Sequence, residues 1–495
     1  MSLRRRSPIV LGLVVLTLLS SALAAPAAPS GTPRLQLRAA ASFVEIPRYG
    51  RGPVWLDLGV SLASLDAPFE LRVRRESYDD PIGVQQALHR PGGTELVDLP
   101  SSILEGWTGL DRFLRFDLYK NGALVRTRVP DACLGGWQTE RVDDSGPFDP
   151  TYPTGCGFNP LTLGAVWGID QGWGSTPLLW NAHVRLPDGR YVAKVSIAPR
   201  YQTLFDIAPE DAKVRIVIRI RSRSGCDFCG APAAPEGTAF RRALTPATIT
   251  VDPDPATVPD LVALPSYGIG IGRARSRDYL QFGADVWNRG SAPLLVEGFR
   301  VPGEDRMDAY QYFTQDGVIV GRAQVGSFHF DHRDGHQHWH FLQFARYRLL
   351  DASEVAIRSK KQAFCLAPTD PIDLTVDGAV WRPEEIGFSQ CGSETSTWIR
   401  EVLPTGWGDT YFQGVPGQSF DITDLPNGTY WIEVRANPGR RLFDGDPAND
   451  VELREVILGG TPGHRSVSVP PWHGIDTESL YGFGSGFGIG SGPGP

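Results

Sequence analysis

The segment FLQFARY at residues 341–347 closely matches FLRFDLY at residues 113–119. Four more short matches follow in the same order, and the offset between the two copies climbs slowly from 228 to 239 residues, as small loop insertions would produce. These matches are Phe364–Leu366 with Ala132–Leu134, Cys391–Gly392 with Cys156–Gly157, Gly406–Tyr411 with Gly172–Pro177, and Leu425–Tyr430 with Leu186–Tyr191. The chain is therefore predicted to contain an internal duplication.

Each copy is typical of an antiparallel β-sandwich. Short runs of alternating polarity are separated by turns such as Pro-Asp-Gly and Pro-Asn-Gly, and the 56 glycines and 41 prolines favour strands and turns over helices. We expect an all-β protein of two tandem β-sandwich domains. The predicted parts are a signal peptide at 1–24, an N-terminal domain at 40–230, a linker at 231–257, a C-terminal domain at 258–470 and a Gly/Ser/Pro-rich disordered tail at 471–495.

The N-terminus is typical of a secretory signal peptide. Three arginines at 4–6 precede an apolar core at 9–23, and Ala22-Leu-Ala24 forms a cleavage site. The apolar run is too short for a membrane anchor, and no later run reaches the roughly 20 residues that a span needs. We therefore expect a secreted or periplasmic protein without a membrane span. The net charge of −8 argues against a nucleic-acid partner, which favours a basic surface.

Export makes the six cysteines candidates for disulfides. Because the two copies carry equivalent cysteines, the duplication predicts the pairs Cys133–Cys156 and Cys365–Cys391. Cys226 and Cys229 remain as a C-x-x-C motif. A tight local disulfide is the favoured interpretation there, since no thioredoxin-like βαβ pattern surrounds the motif, and a redox site is the alternative.

Five of the nine histidines lie between residues 329 and 340. His336, His338 and His340 would share one face of a strand, because side chains alternate along a strand. Three imidazoles with an open position left over suit a catalytic copper, zinc or iron site. His329 and His332 are expected to be rim residues or additional ligands.

The structural alternative, satisfied histidines on a polar sheet face, is weakened by the N-terminal copy. Alignment on the Phe-Leu-x-Phe block places other residues opposite the three histidines, namely Thr108, Leu110 and Arg112. The fold therefore does not require the histidines, and metal binding is the favoured interpretation.

The segment GHQHWH at residues 335–340 resembles the copper-binding signature of lysyl oxidases. The resemblance covers about residues 258–460 and continues through Lys361–Leu366, Gly406–Tyr411, Phe420–Thr423, Ala436–Pro438 and Asn449–Asp450. Gly335 and Arg346 stand where animal members carry a cysteine and a histidine. These departures indicate a distant, bacterial member.

Lysyl oxidases oxidise primary amines, including peptidyl lysine, to aldehydes with O2, and they release ammonia and hydrogen peroxide. They use copper and lysine tyrosylquinone, a cofactor made from their own side chains. The resemblance implies that copper(II) binds to His336, His338 and His340, and that Lys361 and Tyr411 form the quinone. The implied partners are O2 and a primary amine or a lysine-containing protein. Acidic loops such as 444–450 leave calcium open as a further cofactor.

The residues themselves support the two cofactor positions. The chain has only five lysines, yet two are adjacent at 360–361, and an arginine in a surface role could not act as an amine nucleophile. The N-terminal copy has Val129 opposite Lys361 and Pro177 opposite Tyr411. Asp409 lies on the same strand face as Tyr411 and is a candidate base, with the capping of a turn as the alternative.

Three functions are consistent with these patterns. The favoured one is a secreted copper amine oxidase with a self-made quinone. The alternatives are a non-catalytic extracellular metal-binding or adhesion protein and a quinone-free metal oxygenase that uses only the three histidines. Only the first requires a covalent bond between Lys361 and Tyr411.

Overall fold

A computed structural model describes most of the chain. The described ranges are 31–136, 138–157, 159–223, 252–301, 303–332, 337–361, 364–383, 391–415 and 417–478. The predicted signal peptide, Cys226, Cys229 and most of the predicted linker and tail lie outside them. With 52% strand and 3% helix, and strand pairs that are antiparallel with few exceptions, the all-β fold class is confirmed. In these ranges no helix is long and apolar enough to cross a membrane.

Described residues 31–223 are called the N-terminal half. Besides a 3-10 helix at Ser101–Ile103 and helix α1 at Pro199–Leu204, this half consists of strands. They are β1 (Leu35–Ala39), β2 (Phe43–Tyr49), β3 (Val54–Trp55), β4 (Val60–Ser64), β5 (Phe69–Arg74), β6 (Gly83–Arg90), β7 (Gly93–Leu99), β8 (Leu114–Lys120), β9 (Ala123–Arg128), β10 (Asp131–Cys133), β11 (Thr139–Arg141), β12 (Gly164–Ile169), β13 (Trp173–Ser175), β14 (Leu178–Trp180), β15 (His183–Val184), β16 (Gly189–Ile197) and β17 (Lys213–Arg223).

Described residues 252–478 are called the C-terminal half. It begins with a 3-10 helix at Pro255–Thr257. Its strands are β18 (Leu261–Ala263), β19 (Tyr267–Ala274), β20 (Arg277–Asn288), β21 (Leu294–Arg300), β22 (Arg306–Gln315), β23 (Val318–Phe330), β24 (Trp339–Phe341), β25 (Ala345–Leu350), β26 (Ala356–Lys361), β27 (Asp370–Pro371), β28 (Trp398–Leu403), β29 (Trp407–Tyr411), β30 (Ser419–Asp421), β31 (Gly428–Ala436), β32 (Val451–Thr461) and β33 (His464–Ser468).

Three sheets of the C-terminal half have counterparts with the same strand order in the N-terminal half. The tyrosine sheet, β18-β20-β29-β27, corresponds to β1-β4-β13-β11. The histidine sheet, β28-β21-β22-β23-β24, corresponds to β12-β5-β6-β7. In the outer sheet, β26-β25-β31-β32-β33, the first four strands correspond to β9-β8-β16-β17. The fifth strands differ, because β33 is antiparallel to β32 whereas β2 is parallel to β17. The shared order supports the predicted duplication, which stays a prediction about ancestry.

Matching local bonds accompany the matching sheets. The hydroxyl of Tyr191 donates to the carbonyl of Pro187, and that of Tyr430 donates to the carbonyl of Pro426, both at 2.8 Å. The two predicted disulfides, Cys133–Cys156 and Cys365–Cys391, are both present, with Cα atoms 5.7 and 5.6 Å apart. Each half therefore fixes the same turn and the same loop by the same means.

The strand pairing corrects one predicted alignment. Tyr191 and Tyr430 are equivalent in the two halves. The residue six positions after Tyr191 pairs with Leu114, and the residue six positions after Tyr430 pairs with Ala345. The two blocks are thus offset by 231 residues and not by 228, so Phe113 corresponds to Phe344. Phe341 and Phe344 are both fully buried, so the apolar pattern could not distinguish the two registers.

The two halves share a continuous contact. The amides of Leu163 and Gly164 donate to the carbonyl of Ile372 at 2.7 and 3.1 Å, and the ring of Tyr152 stacks on Trp381 with 5.4 Å between centroids. Residues 159–164 of the N-terminal half therefore lie against β27, at the edge of the tyrosine sheet.

The end of the described chain also packs against the N-terminal half. Trp472 meets Tyr78 edge-on at 4.6 Å, His473 Nδ1 lies 2.9 Å from Asp79 Oδ1, and Thr477 is buried. The described chain thus reaches Glu478, beyond the predicted start of the tail at 471.

Candidate active site

Tyr411 is the last residue of β29 and is held by the main chain of a neighbouring segment. Its hydroxyl accepts a hydrogen bond from the Cys365 amide at 2.9 Å and lies 3.2 Å from the Cys365 carbonyl, to which it donates. The Phe364 ring meets the Tyr411 ring edge-on at 5.0 Å. Burial, reinforced by the charge of Asp409, raises the pKa of Tyr411 well above its ordinary value. The phenol is therefore neutral and fixed in place.

Lys361 ends strand β26, where it pairs with Arg346. Its main chain is described, whereas its side chain lies outside the described atoms. Four residues of chain span at most about 14 Å, so Lys361 lies within that distance of Cys365, whose peptide holds the Tyr411 hydroxyl. The predicted cofactor pair is brought into one neighbourhood by the chain itself.

The histidine segment reaches the same peptide through a short β-bridge. The Phe341 amide donates to the Phe364 carbonyl at 2.7 Å, and the Phe364 amide donates to the Phe341 carbonyl at 3.0 Å. The bridge is antiparallel, so His340, which precedes Phe341, and Cys365, which follows Phe364, lie at the same end of it. Cys365 therefore joins the histidine segment to Tyr411.

Two imidazoles converge at this point. The Nε2 atoms of His338 and His340 lie 2.8 Å apart, and their rings are nearly perpendicular at 4.5 Å between centroids. Two nitrogens bound to one ion at about 2.0 Å are about 2.8–3.3 Å apart at ordinary ligand angles. His338 and His340 thus fit a shared copper ion, while the third predicted ligand, His336, lies outside the described residues.

One carboxylate, that of Asp331, lies beside the His338–His340 pair. His340 Nδ1 lies 3.6 Å from Asp331 Oδ2, the position from which a carboxylate orients a metal-binding imidazole. His329 faces His340 across the β23–β24 pair. His332 is exposed and contacts Asp305 at 3.1 Å, so it lies at the rim.

The corrected register changes which residues stand opposite the histidines. With the offset of 231, the N-terminal positions are Glu105, Trp107 and Gly109, and not Thr108, Leu110 and Arg112. Leu110 bridges Ala132 as Phe341 bridges Phe364, which agrees with this register. None of the positions is a histidine in either alignment, so both alignments support the inference that the fold does not require the three histidines.

Asp409 is fully enclosed on the same face of β29 as Tyr411. It is 2% exposed, it accepts a hydrogen bond from the Ala367 amide, and burial together with the charge of Asp285 raises its pKa well above the ordinary value. Its Oδ2 atom has no hydrogen-bond partner within the described residues. Asp409 lies inside a strand and caps no turn.

Sequence reasoning missed a second set of buried polar residues behind β29. The Oδ2 atom of Asp285 accepts from Asn159 Nδ2 at 3.1 Å and from Thr410 Oγ1 at 2.9 Å. Asp370 adjoins the same Thr410 and Asn159 side chains, and burial raises its pKa. Asp285, an acidic residue inside an apolar strand, was a visible signal, whereas nothing local marked Asn159, which comes from the other half.

Glu401 is a further buried acid near the disulfide. It is fully buried and its Oε2 accepts from the Leu366 amide at 3.0 Å. Among the described side chains, Cys365, Cys391 and Glu401 are the one group of three or more potential metal-ligand residues whose ligand atoms lie close together. Because the two sulfurs are joined as a disulfide, they offer no thiolates and this group is not a metal site.

The acidic loop at 444–450 packs against β18. Asp444 Oδ1 accepts from the Leu261 amide at 2.9 Å, while Asp444 Oδ2, Asn449 Oδ1 and Asp450 Oδ1 are buried without a partner in the described ranges. Burial and the Asp450 carboxyl raise the pKa of Asp444 to about 8. This set of oxygens supports the prediction of calcium, which stays a prediction.

Comparison with known proteins agrees with the geometry. Residues 312–462 match the sequence model described as lysyl oxidase. This segment belongs to the lysyl oxidase family. Two protein-lysine 6-oxidases, from Rattus norvegicus and Sus scrofa, are each 31% identical over 134 residues, which is 26% of this chain and 29% and 48% of theirs. Lysyl oxidase homolog 1 from Homo sapiens is 31% identical over 119 residues, 23% of this chain and 18% of its own. The chain thus spans less than half the length of these relatives.

Proposed function

We propose that the chain is an exported, copper-dependent amine oxidase. It converts a primary amine, O2 and water into an aldehyde, ammonia and hydrogen peroxide. The observation that carries this proposal is the convergence on residues 364–365: the Cys365 peptide binds the Tyr411 hydroxyl, and Phe364 forms a bridge with Phe341, the residue after His340. A lysine-bearing protein is the natural class of substrate, because the similar proteins named above are protein-lysine 6-oxidases.

The donor set fits the two cofactors. His336, His338 and His340 would hold copper(II), and Lys361 and Tyr411 would form lysine tyrosylquinone. Neutral imidazoles without a carboxylate in the ligand set suit Cu(II). When bound, these groups supply the two-electron oxidation of the amine by O2.

The remaining side chains handle protons and water. Asp409 Oδ2 lacks a hydrogen-bond partner within the described chain and lies on the Tyr411 side of β29, so it is the atom we assign to accept the proton from the substrate carbon. The base is the ionised form of Asp409, and its raised pKa makes that form a stronger proton acceptor than an ordinary carboxylate. Phe364 covers one edge of Tyr411 and keeps water from that side.

The N-terminal half has no catalytic role in this proposal. Asn159 and residues 163–164 support the tyrosine sheet from behind. Its equivalents of the reactive positions, Val129 and Pro177, can neither add to a phenol nor be oxidised to a quinone. Its contribution is to hold the strand that carries Tyr411.

The deciding experiment is peptide mass spectrometry on secreted protein produced with and without copper. The expected result is a copper-dependent cross-link between the peptides that carry Lys361 and Tyr411, absent in Lys361→Arg. Separate, unmodified peptides in folded, copper-loaded protein would overturn the proposal and favour the alternative, metal binding without amine chemistry. Release of hydrogen peroxide on addition of a simple alkylamine is the companion assay.

A further inference from the structure

A row of residues leads from the histidine centre to the outer surface of the histidine sheet. Arg306 faces His329 across β22 and β23, and His329 faces His340 across β23 and β24. Directly opposed residues of an antiparallel pair point to the same side of the sheet. Two strand spacings amount to about 10 Å, so the surface beside Arg306 is within one short peptide of the reaction centre.

A polar pocket of about 460 Å³ opens at that surface. The strands β22 and β23 form its floor, and the loop that follows β31 forms one wall. Its polar lining consists of Arg306, Asp308, Gln324, Ser327, Gln343 and Arg441. Its size and polarity suit part of a peptide better than an apolar group.

The charges in this pocket leave one cation unpaired. Arg306 is bonded to Glu304 Oε2 at 3.0 Å and also to Asp308, so two carboxylates neutralise it. Arg441 forms no ion pair with any described residue, and its only hydrogen bond there runs from its main-chain amide to Asn437. The guanidinium of Arg441 is therefore available to a ligand.

Neutral donors stand beside Arg441. Gln343 Oε1 accepts from the Ser327 amide at 3.3 Å, which turns the amide NH2 of Gln343 away from that bond and leaves it to donate. A guanidinium flanked by amide and hydroxyl donors matches a carboxylate, which accepts several hydrogen bonds at once.

We propose that this pocket binds a carboxylate of the amine substrate and that Arg441 is its specificity-determining residue. The inference rests on the proposed amine oxidation, and it adds the class of substrate: an amine that carries a carboxylate within a few residues. The carboxylate can be an acidic side chain near the reactive lysine or the α-carboxylate of a terminal lysine.

Two matched pairs of probes distinguish these sources. Acetyl-Glu-Gly-Lys-amide is compared with acetyl-Gln-Gly-Lys-amide, and Nα-acetyl-lysine is compared with Nα-acetyl-lysine amide. For wild-type protein we expect kcat/KM to be about fivefold to tenfold higher for the carboxylate member of at least one pair, mainly through KM. Arg441→Gln should remove this preference. Arg440→Gln, which removes the same charge one residue away from the lining, should keep it.

The outcomes separate this inference from the proposed function. Equal kinetics within both pairs for wild-type protein, or a preference that survives in Arg441→Gln, overturns the carboxylate pocket while amine oxidation stands. If no amine is oxidised, including butylamine, the proposed function fails. The same pairs are then compared by titration calorimetry, where tighter binding of the carboxylate member that is lost in Arg441→Gln supports the pocket and equal binding overturns it. An unchanged melting temperature shows that the variants are folded.

Discussion

The two halves place different side chains on the same arrangement of strands. Around the tyrosine sheet, the register pairs five N-terminal residues with five C-terminal ones: Ser61 with Asp285, Glu140 with Asp370, Trp167 with Glu401, Ser175 with Asp409, and Pro177 with Tyr411. Four of the C-terminal residues are buried acids. A buried acid without a cation beside it costs folding free energy, so the C-terminal half keeps at these positions groups that its fold does not need.

One pair of positions shows how the burial arises. In the N-terminal half the exposed Glu140 accepts from Ser61 Oγ at 2.6 Å. At the same places of the C-terminal half, Asp285 and Asp370 are closed off by Asn159 from the other half. The N-terminal half thus covers two acids of the C-terminal half, whereas its own Glu140 stays exposed. This contrast agrees with the proposal that only the C-terminal half is catalytic.

The largest effect is expected from the cofactor residues. Lys361→Arg or Tyr411→Phe should lower amine-dependent peroxide release by at least about a thousandfold, because each removes an atom that the cofactor requires. Val129→Ala, at the equivalent place of the N-terminal half, should retain the activity. Comparable losses from Val129→Ala would remove the contrast between the halves.

Next in size is the loss of a histidine. His340→Ala should abolish stoichiometric copper binding, measured by mass spectrometry of the metal in dialysed protein, because two of the three imidazoles cannot hold the ion at the same affinity. His464→Ala removes an exposed histidine from β33 and is the control. Full copper content in His340→Ala would show that the histidine centre is not the copper site.

Asp409→Ser gives the C-terminal half the residue of the N-terminal half. We expect kcat/KM to fall by about a hundredfold to ten-thousandfold if Asp409 moves the proton. Stability should change in the opposite direction. Because the folded pKa of Asp409 lies above its unfolded value, the ionised form destabilises the fold, and this penalty is absent below about pH 4 and grows as the pH rises.

The check on Asp409 is a series of melting temperatures from pH 4 to pH 8. The variant should gain over wild-type protein as the pH increases. A gap that narrows with rising pH would contradict the sign, and an unchanged kcat/KM would reduce Asp409 to a structural residue.

A smaller effect is expected at the contact between the halves. Asn159→Ala removes a donor to the buried Asp285 carboxyl and should cost about 1–3 kcal/mol of unfolding free energy. Ser61→Ala, at the N-terminal counterpart of Asp285, removes a partly solvated hydrogen bond and should cost less than about 1 kcal/mol. Denaturant unfolding of both variants measures the difference. Equal losses of unfolding free energy would mean that the contact of Asn159 with the buried acids does not stabilise the fold.

A separate effect concerns calcium. If the acidic loop binds the ion, calcium at a hundred times its Kd should add about 2.7 kcal/mol to the stability, and Asp450→Asn should reduce that gain. Calorimetric melting with calcium and with a chelator compares the two proteins. The N-terminal half offers the contrast, since Asp211 at its corresponding end is hydrogen-bonded by Gln36 and Arg34.

The sequence predicted those features that depend on short local patterns. The alternation of short strands predicted the all-β class, and the repeated cysteines predicted both disulfides that the described residues contain. The predicted offset between the two Phe-Leu-x-Phe blocks was wrong by three residues, because Phe341 and Phe344 are the same residue type and are both buried. Only the hydrogen-bond register distinguished the two alignments. Asn159 was invisible because its role depends on an acid 126 positions away in the other half. Long-range polar contacts of this kind leave no periodic pattern.

The disulfide Cys365–Cys391 has a consequence for how the protein matures. Cys365 positions Tyr411 through its peptide, and the carbonyl of Cys391 accepts from the amide of Trp339 at 3.0 Å, one residue from His340. Closure of this single bond therefore brings the tyrosine and the histidine strand together. If the proposed oxidase forms its cofactors as inferred above, loss of this disulfide in a reducing compartment would untether the segment, and oxidative folding would have to precede copper loading and quinone formation. In the proposed function, this one disulfide would make activation depend on arrival in an oxidising compartment.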